Sequence, residues 1–109
     1  MKKPPSSRRA RPPRLFAFGK AFRKDWERLA RTGRFDLPRM KEAMLLLIAN
    51  EGPLGPEWRD HSLAGDWTDH RELHVGGDFL LVYRVDEPGR ASETVVFVRA
   101  GTHAELFRE

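Results

Sequence analysis

The sequence predicts an α+β fold in which an N-terminal helical hairpin packs on an antiparallel β-sheet. Apolar residues recur at helical spacing through residues 19–31 and again through residues 37–49. From residue 70 the hydrophobic period changes to two, and three strand-like segments follow, separated by turns that contain glycine or proline. Helices that precede strands are typical of the α+β class. The 109 residues suffice for one domain with a modest core.

Residues 1–14 are predicted to form a basic, disordered tail, because prolines, lysines and arginines dominate them and almost nothing can be buried. The folded domain would then span residues 15–109. Twelve of the 20 Lys and Arg residues lie within residues 1–34, against only Asp25 and Glu27, so this part carries +10 and the remainder −6. The asymmetry predicts a polyanionic partner near the N-terminal part. The tail itself is either an electrostatic arm on nucleic acid or a solvated extension.

The helical elements are bounded by recognisable residues. Residues 15–18 form a short apolar run, typical of an edge strand or of the lead-in to a helix. The first helix, over residues 19–31, is amphipathic and is expected to end at Gly33. Asp36 is a suitable N-cap for a second helix, with Pro38 tolerated in its first turn. That helix is expected to end within residues 50–53.

The remaining chain reads as a loop and three strands. Residues 53–69 form a long loop, which Trp58 and Trp67 are expected to pin to the body of the domain. A strand follows from residue 70, with a tight turn at Gly76 and Gly77. Residues 79–85 are apolar on both faces and indicate a central strand, and residues 94–99 form the last strand.

Several classes of protein are excluded by composition. No segment approaches the ~20 apolar residues that a membrane-spanning helix needs. There is no cysteine, so disulfides and thiolate chemistry are absent. The basic N-terminus is followed by prolines rather than by the apolar run of a secretory signal, so we expect a cytoplasmic protein.

The four histidines indicate proton-transfer chemistry. Three lie within residues 57–79, near carboxylates, and the fourth is His103. Histidine has the side chain whose ordinary pKa is closest to neutrality, so it suits general acid–base catalysis. Cleavage of RNA needs a base, an acid and a cation for the charge that develops on phosphorus. Histidines can fill the first two roles, and a carboxylate (Asp60, Glu72 or Asp78) can hold an imidazole. The candidates for the third role are Arg71, Arg84 and Arg99.

Two other chemistries fit less well. His70 and His74 would share a metal ion on a helix, but four residues of strand span roughly 13 Å, too far for one ion. Ser62 adjoins His61, but no Gly-x-Ser-x-Gly elbow surrounds it. We therefore expect no metal ion and no small-molecule cofactor.

Four blocks of sequence together resemble a known family. They are EWRDHSLAGDW at residues 57–67, RELHV at 71–75, DFLLVYR at 78–84 and RAGTHAELF at 99–107. In order and spacing they look like a YafQ-type toxin of the RelE/ParE superfamily, from bacterial type II toxin–antitoxin systems. The resemblance runs from about Phe16 to Phe107. It implies a RelE-like fold and a metal-independent endoribonuclease that cleaves mRNA in the ribosomal decoding site.

The resemblance also assigns candidate site residues. It implies that His103 and His74 form the acid–base pair, that His61 and Asp78 assist them, and that Phe107 stacks on a base. Which histidine is the base is left open. Three positions depart from the pattern of the family: Glu72 replaces an Asp, Phe79 replaces a Trp, and His70 replaces an aromatic residue. Glu72 and Phe79 are further candidates for contact with the substrate.

The resemblance leaves two alternatives to an enzyme. One is a ParE-like protein that inhibits gyrase through binding alone, against which the histidines argue. The other is a module that binds RNA or the ribosome without catalysis, through its N-terminal charge. Both superfamily hypotheses imply a cognate antitoxin, which we expect to cover the basic surface or the histidine cleft with an acidic segment that folds on binding.

Overall fold

The protein is described here by a computed structural model that covers residues 11–107. Within these residues, three α-helices and five strands make up the fold, and the predicted α+β class is confirmed. In chain order they are β1 (Leu15–Phe18), α1 (Lys20–Thr32), α2 (Leu37–Ala49), β2 (His61–Ser62), β3 (Arg71–Gly76), β4 (Phe79–Asp86), β5 (Thr94–Gly101) and α3 (His103–Leu106). The long loop before β3 contains two single-turn 3-10 helices, Pro56–Trp58 and Gly65–Trp67.

The helical hairpin agrees with its sequence signals. α1 ends at Gly33, whose φ of 68° belongs to the left-handed region that glycine tolerates. The Asp36 side chain accepts a hydrogen bond from the backbone N–H of Arg39 and so caps α2. α2 ends at Asn50, which also adopts a left-handed conformation, with a φ of 58°.

The strands form one sheet in the order β1-β5-β4-β3-β2, with β4 in the middle. The strands β2 to β5 pair in antiparallel fashion, as predicted. β1 differs, because it pairs with β5 in parallel, with Leu15 opposite Thr94. The sheet is therefore mixed. Parallel partners need a long crossover connection, and nothing local in a four-residue segment indicates such a distant partner.

The two faces of the sheet are covered unequally. α1 and α2 cover one face and enclose the main core, which includes Met40, Leu81 and Phe97. The other face carries a smaller buried cluster of Leu80, Val82 and Leu106. The long loop and α3 pack on this second face.

Both loop tryptophans pack as predicted. Trp58 is buried in the main core, and the Arg39 guanidinium lies 4.0 Å from the centroid of its ring. Trp67 packs against the smaller cluster on the opposite face. The loop is thus anchored on both sides of the sheet.

Most of the predicted tail, residues 1–10, lies outside the described residues. Its last residue, Arg14, is held firmly: its backbone N–H donates to the carbonyl oxygen of Ile48 at 2.8 Å, and its Nε donates to Oε1 of Glu93 at 2.7 Å. In the described part of the chain, no helix is long and apolar enough to cross a membrane.

Candidate active site

A single carboxylate lies at the centre of three imidazoles. Glu72, in the middle of β3, is only 3% exposed. Its Oε2 lies 3.3 Å from Nε2 of His61, 3.4 Å from Nε2 of His74 and 3.8 Å from Nε2 of His103. The sequence predicted that Glu72 touches the substrate. The structure instead places its carboxylate beneath the histidines, where it can stabilise positive charge on any of them.

The register of the sheet brings these four residues together. His61 on β2 pairs with Glu72 on β3, and His74 lies two residues further along β3, on the same face. His74 is opposite Leu80, and Leu80 is opposite Gly101 at the end of β5. Because α3 begins two residues after Gly101, His103 lies beside His74. The ring centroids of His61 and His74 are 5.9 Å apart, and those of His74 and His103 are 6.2 Å apart.

The proton positions on His61 and His103 follow from what their Nδ1 atoms contact. Nδ1 of His103 lies 2.7 Å from Oδ1 of Asp78, and Nδ1 of His61 lies 2.8 Å from the carbonyl oxygen of Arg59. Both oxygens can only accept, so each Nδ1 carries the proton. In both residues Nε2 therefore faces Glu72, and it can donate to that carboxylate only when the ring is doubly protonated. The hydrogen bond from His103 lowers the pKa of Asp78, as does the hydrogen bond from the backbone N–H of His103.

His74 has the opposite arrangement because of Arg59. A terminal nitrogen of the Arg59 guanidinium lies 3.1 Å from Nδ1 of His74. Arginine has no acceptor, so Nδ1 accepts and the proton of the neutral ring is on Nε2, toward Glu72. Sequence reasoning missed Arg59, although it lies in the EWRDH block. No local signal identifies it, because its position depends on the course of the loop, in which Arg59 adopts a left-handed conformation (φ 48°) at the end of the 3-10 turn.

In the described structure, the three arginines predicted to bind phosphate pair with carboxylates other than Glu72 and Asp78, which contact the clustered histidines. Arg71 follows the alternation of β3 onto the helix-covered face, where its Nε donates to Asp60 at 3.0 Å. Asp60 also accepts from the Tyr83 hydroxyl at 2.7 Å, so it holds these two groups rather than an imidazole. The other two guanidiniums pair elsewhere, Arg84 with Asp86 at 2.8 Å and Arg99 with Asp25 at 2.7 Å.

Of the two phenylalanines predicted to contact the substrate, one lies in the core and the other lies beside a histidine of the cluster. Phe79 is buried on the helix-covered side, with its ring centroid 4.9 Å from that of Phe35, so its ring is part of the core. Phe107 is half-buried, and its ring centroid lies 5.9 Å from that of His103. Of these two residues, Phe107 borders the histidine cluster. His70 lies outside that cluster, with its ring against Trp67.

A buried carboxylate supports the end of β5. Asp25 on α1 is 2% exposed and accepts hydrogen bonds from Arg99, from Arg28 and from the backbone N–H of Ala100. Burial alone would raise the pKa of Asp25, but these hydrogen bonds more than offset burial, and its pKa is lowered. Asp25 therefore stays ionised and fixes the segment that leads to His103.

The same network reaches α3. Arg28 also donates to Oε1 of Glu105 at 3.1 Å. Glu105 forms a capping box with Thr102, in which each side chain accepts from the backbone N–H of the other residue, at 2.9 Å and 3.2 Å. A helix of four residues has little stability of its own, so these bonds position His103.

Residues 14–108 match the model of a family described as the bacterial toxin of type II toxin–antitoxin systems, YafQ. The chain belongs to the YafQ family. It is 38% identical to the mRNA interferase toxin YafQ of Escherichia coli K12 over 80 aligned residues. The alignment covers 73% of this chain and 82% of that protein. The resemblance inferred from the sequence blocks is confirmed.

Similar solved structures support the same fold. The chain superposes on the E. coli DinJ–YafQ complex with a TM-score of 0.73 and 35% identity, covering 86% of this chain and 98% of that chain. A metal-bound toxin from Helicobacter pylori gives a TM-score of 0.72 and 38% identity, covering 85% and 98%. The RelE-like α+β class predicted from the sequence is confirmed.

The histidine cluster also contains a set of potential metal ligands. One ligand atom from each of His61, Glu72 and His74 lies within 4.8 Å of the other two. Imidazole nitrogens with a carboxylate oxygen are a donor set that transition metals accept. The sequence argument against metal considered His70 and His74 alone. It did not foresee that His61 and Glu72 pair across neighbouring strands.

Proposed function

We propose that this YafQ-family chain is an endoribonuclease that cleaves mRNA by general acid–base chemistry, with no metal ion required for the reaction. The observation that carries the proposal is the arrangement of three imidazoles around Glu72, each with a defined contact at Nδ1. The name of the E. coli relative, an mRNA interferase, supports the same activity.

The acid and the base are best assigned to the two exposed histidines. The side chains of His61 and His103 are 50% and 54% exposed, whereas that of His74 is 15% exposed. The proposed base is His61, whose neutral Nε2 has a lone pair and whose cationic form Glu72 would stabilise. The proposed acid is His103, whose cationic form is paired with Asp78. The family resemblance pairs His103 with His74, and the lower exposure of His74 favours a positioning role for it.

In this reaction the 2′-oxygen attacks the adjacent phosphorus while the 5′-oxygen leaves. His61 takes the proton of the 2′-hydroxyl, and His103 gives a proton to the leaving 5′-oxygen, which yields a cyclic phosphate. Arg59, at the edge of the cluster, is placed to stabilise the charge on the phosphoryl oxygens. Phe107 would stack on a neighbouring base.

The proposed substrate is mRNA in the ribosomal decoding site. The basic N-terminal part, together with exposed basic side chains of α1 such as Lys20 and Lys24, provides affinity for phosphate without sequence choice. Such a substrate is consistent with the predicted cytoplasmic location.

Primer extension on a reporter mRNA in a reconstituted translation reaction tests the proposal. Wild-type protein should produce codon-phased cuts that require ribosomes, and His103→Ala should abolish them. Glu42→Ala, an exposed change on α2, is the matched control and should leave the cuts unchanged. Intact mRNA with wild-type protein would contradict the proposal, and a DNA supercoiling assay would then test the gyrase alternative.

We also propose that the chain assembles with a cognate antitoxin, as the YafQ of E. coli does with DinJ. An acidic segment that folds on binding would complement the basic surface or cover the histidine cleft. Co-purification of the protein encoded beside this gene tests the partnership. A complex in which the cleft stays open would contradict direct masking of the active site.

A transition metal ion at His61, Glu72 and His74 would act as an inhibitor in this scheme. The proposal draws on the metal-bound H. pylori relative and on the spacing of the three ligand atoms. A bound ion would occupy the Nε2 lone pair of His61 that the proposed base needs, and it would displace the Nε2 proton that the contact with Arg59 assigns to His74. It would therefore block cleavage rather than support it.

A further inference from the structure

The aromatic surface of the site does not stop at Phe107. The ring centroid of Phe107 also lies 5.3 Å from that of Trp67, at an interplanar angle of 77°. The Trp67 centroid lies 5.2 Å from that of His70, at 86°. A row of neighbouring rings thus continues from His103 through Phe107 and Trp67 to His70, and the proposed reaction uses only its first two members.

The outer two rings are held in place by the backbone. Trp67 ends a 3-10 turn and packs on the cluster of Leu80, Val82 and Leu106. The backbone N–H of His70 donates to the carbonyl oxygen of Trp67 at 2.9 Å. The carbonyl oxygen of His70 accepts from the backbone N–H of Leu63 at 2.9 Å. Both side chains are partly exposed, so they present fixed ring surface to solvent.

The ring of His70 also has a defined hydrogen-bonding pattern. Its Nδ1 lies 3.3 Å from the carbonyl oxygen of Thr68, which can only accept, so Nδ1 carries the proton. In the neutral ring Nε2 is then an acceptor, suited to the exocyclic amino group of a base. His70 therefore offers an aromatic face and one directed polar atom.

Next to His70 the surface forms an open groove. Ser62, Thr68 and Arg84 line it together with His70, and residues 86–88 also contribute to its lining. The Arg84 side chain is 39% exposed, and its ion pair with Asp86 at 2.8 Å is also largely in water. Such an exposed pair is worth little, so a phosphate could displace Asp86 from the guanidinium at small cost.

We propose that Trp67, His70 and this groove bind a nucleobase of single-stranded RNA that flanks the cleaved bond, with Arg84 near its phosphate. Stacking on aromatic side chains is the usual way in which proteins hold unpaired bases, and it tolerates any sequence. This inference deepens the proposed function and rests on it. It gives a task to Trp67 beyond anchoring the loop and to His70, which the acid–base scheme leaves unused.

The test pairs changes in the protein with changes in the RNA. Reporter mRNAs on programmed ribosomes would carry a single abasic nucleotide at each position next to the cut in turn. The wild-type protein, His70→Ala, His70→Phe and Asp66→Ala would be compared by kcat/KM. Asp66→Ala is the matched control, because Asp66 is exposed in the same turn as Trp67 and its side chain carries no ring.

At one flanking position the abasic nucleotide should lower the wild-type kcat/KM about 5- to 100-fold, the range expected for loss of one stacked base. On intact mRNA, His70→Ala should show a loss of similar size, and the abasic nucleotide should then cause no further loss. His70→Phe should retain most of the wild-type rate, and Asp66→Ala all of it.

An abasic penalty that is the same in the wild type and in His70→Ala at every position would overturn the inference while leaving the proposed function intact. Equal kcat/KM for the wild type and His70→Ala on intact mRNA would do so as well. Failure of the wild-type protein to cut intact mRNA would instead overturn the proposed function and this inference together.

Discussion

Asp78 holds His103 at two points through one carboxylate oxygen. Its Oδ1 accepts from Nδ1 of the ring at 2.7 Å and from the backbone N–H at 3.1 Å. The turn between β3 and β4 is thereby tied to the first residue of α3. The orientation of the proposed general acid and the start of its helix thus depend on the same group.

This tie should make stability depend on pH. The hydrogen bonds from His103 lower the pKa of Asp78 in the folded protein below its ordinary value of 3.8. The resulting stabilisation of the folded state is therefore complete at pH values above 3.8, and it is lost as the pH falls through the lowered pKa of the folded protein. In urea titrations, wild type should exceed Asp78→Asn in stability at pH 5–7, and the difference should shrink on further acidification. A difference that grows on acidification would contradict the assignment.

Glu72→Gln should leave the fold intact and lower kcat. The amide keeps the shape of the side chain but removes the charge that stabilises cationic histidines. We expect a loss of roughly 100-fold in kcat, the lower end of what acid–base groups contribute. Single-turnover cleavage would measure it, with circular dichroism as a check on folding. Wild-type kcat in Glu72→Gln would show that the carboxylate has no part in the chemistry.

Arg59→Ala should lower kcat/KM by roughly 100-fold, because it removes the donor to His74 and the cation at the edge of the cluster. Arg59→Lys keeps the charge and should recover part of the rate. Arg31→Ala, at an exposed position on α1, is the control for loss of one positive charge. Equal losses in Arg59→Ala and Arg31→Ala would reduce the role of Arg59 to general electrostatic attraction.

Gly101→Ala should destabilise the protein by about 1–3 kcal/mol, since the backbone there has a φ of 154°. A Cβ atom would lie 2.5 Å from Oε1 of Glu105 and 2.9 Å from a nitrogen of Arg28, so these two side chains must shift, which disturbs the hydrogen bonds that position α3. Activity should therefore fall further than stability alone explains. Thermal melts and cleavage assays would compare it with Gly76→Ala, where a Cβ meets nothing within 4 Å.

Protein dialysed against EDTA should cleave as well as untreated protein. Protein loaded with one equivalent of Zn²⁺ should cleave more slowly, since the ion would hold His61, Glu72 and His74. His61→Gln should bind Zn²⁺ more weakly in calorimetry. Loss of cleavage after dialysis, restored by metal, would show that the reaction requires the ion.

The sequence predicted the elements that depend on local signals. The cap at Asp36, the end of the second helix within residues 50–53, the turn at Gly76 and Gly77 and the central position of β4 all follow from residue type and period. The parallel pairing of β1 did not, because it joins Leu15 to Thr94 across nearly the whole chain. No pattern within either segment specifies that partner.

The same difference between local and long-range information applies to the residues of the candidate site. The histidines were found because the residue type itself indicates the chemistry. The arginines were assigned by charge alone, and charge does not say which face of a strand a side chain takes. Arg71 lies on the helix-covered face, where it donates to Asp60. Arg59 lies in an irregular turn and contacts His74. Only the three-dimensional course of the loop distinguishes them.

The convergence of three imidazoles on one oxygen of Glu72 has a consequence for how the site should be dissected. Free energies lost in single variants will not sum to the loss in a multiple variant, because each substitution changes the field that the remaining rings experience. In an alanine scan, the loss measured for each histidine would include part of the contribution of Glu72, so that contribution would be counted more than once. The coupling free energy between any two histidines therefore has to be measured twice, once with Glu72 present and once in the Glu72→Gln variant. Only then can a contribution to the proposed catalysis be assigned to either histidine.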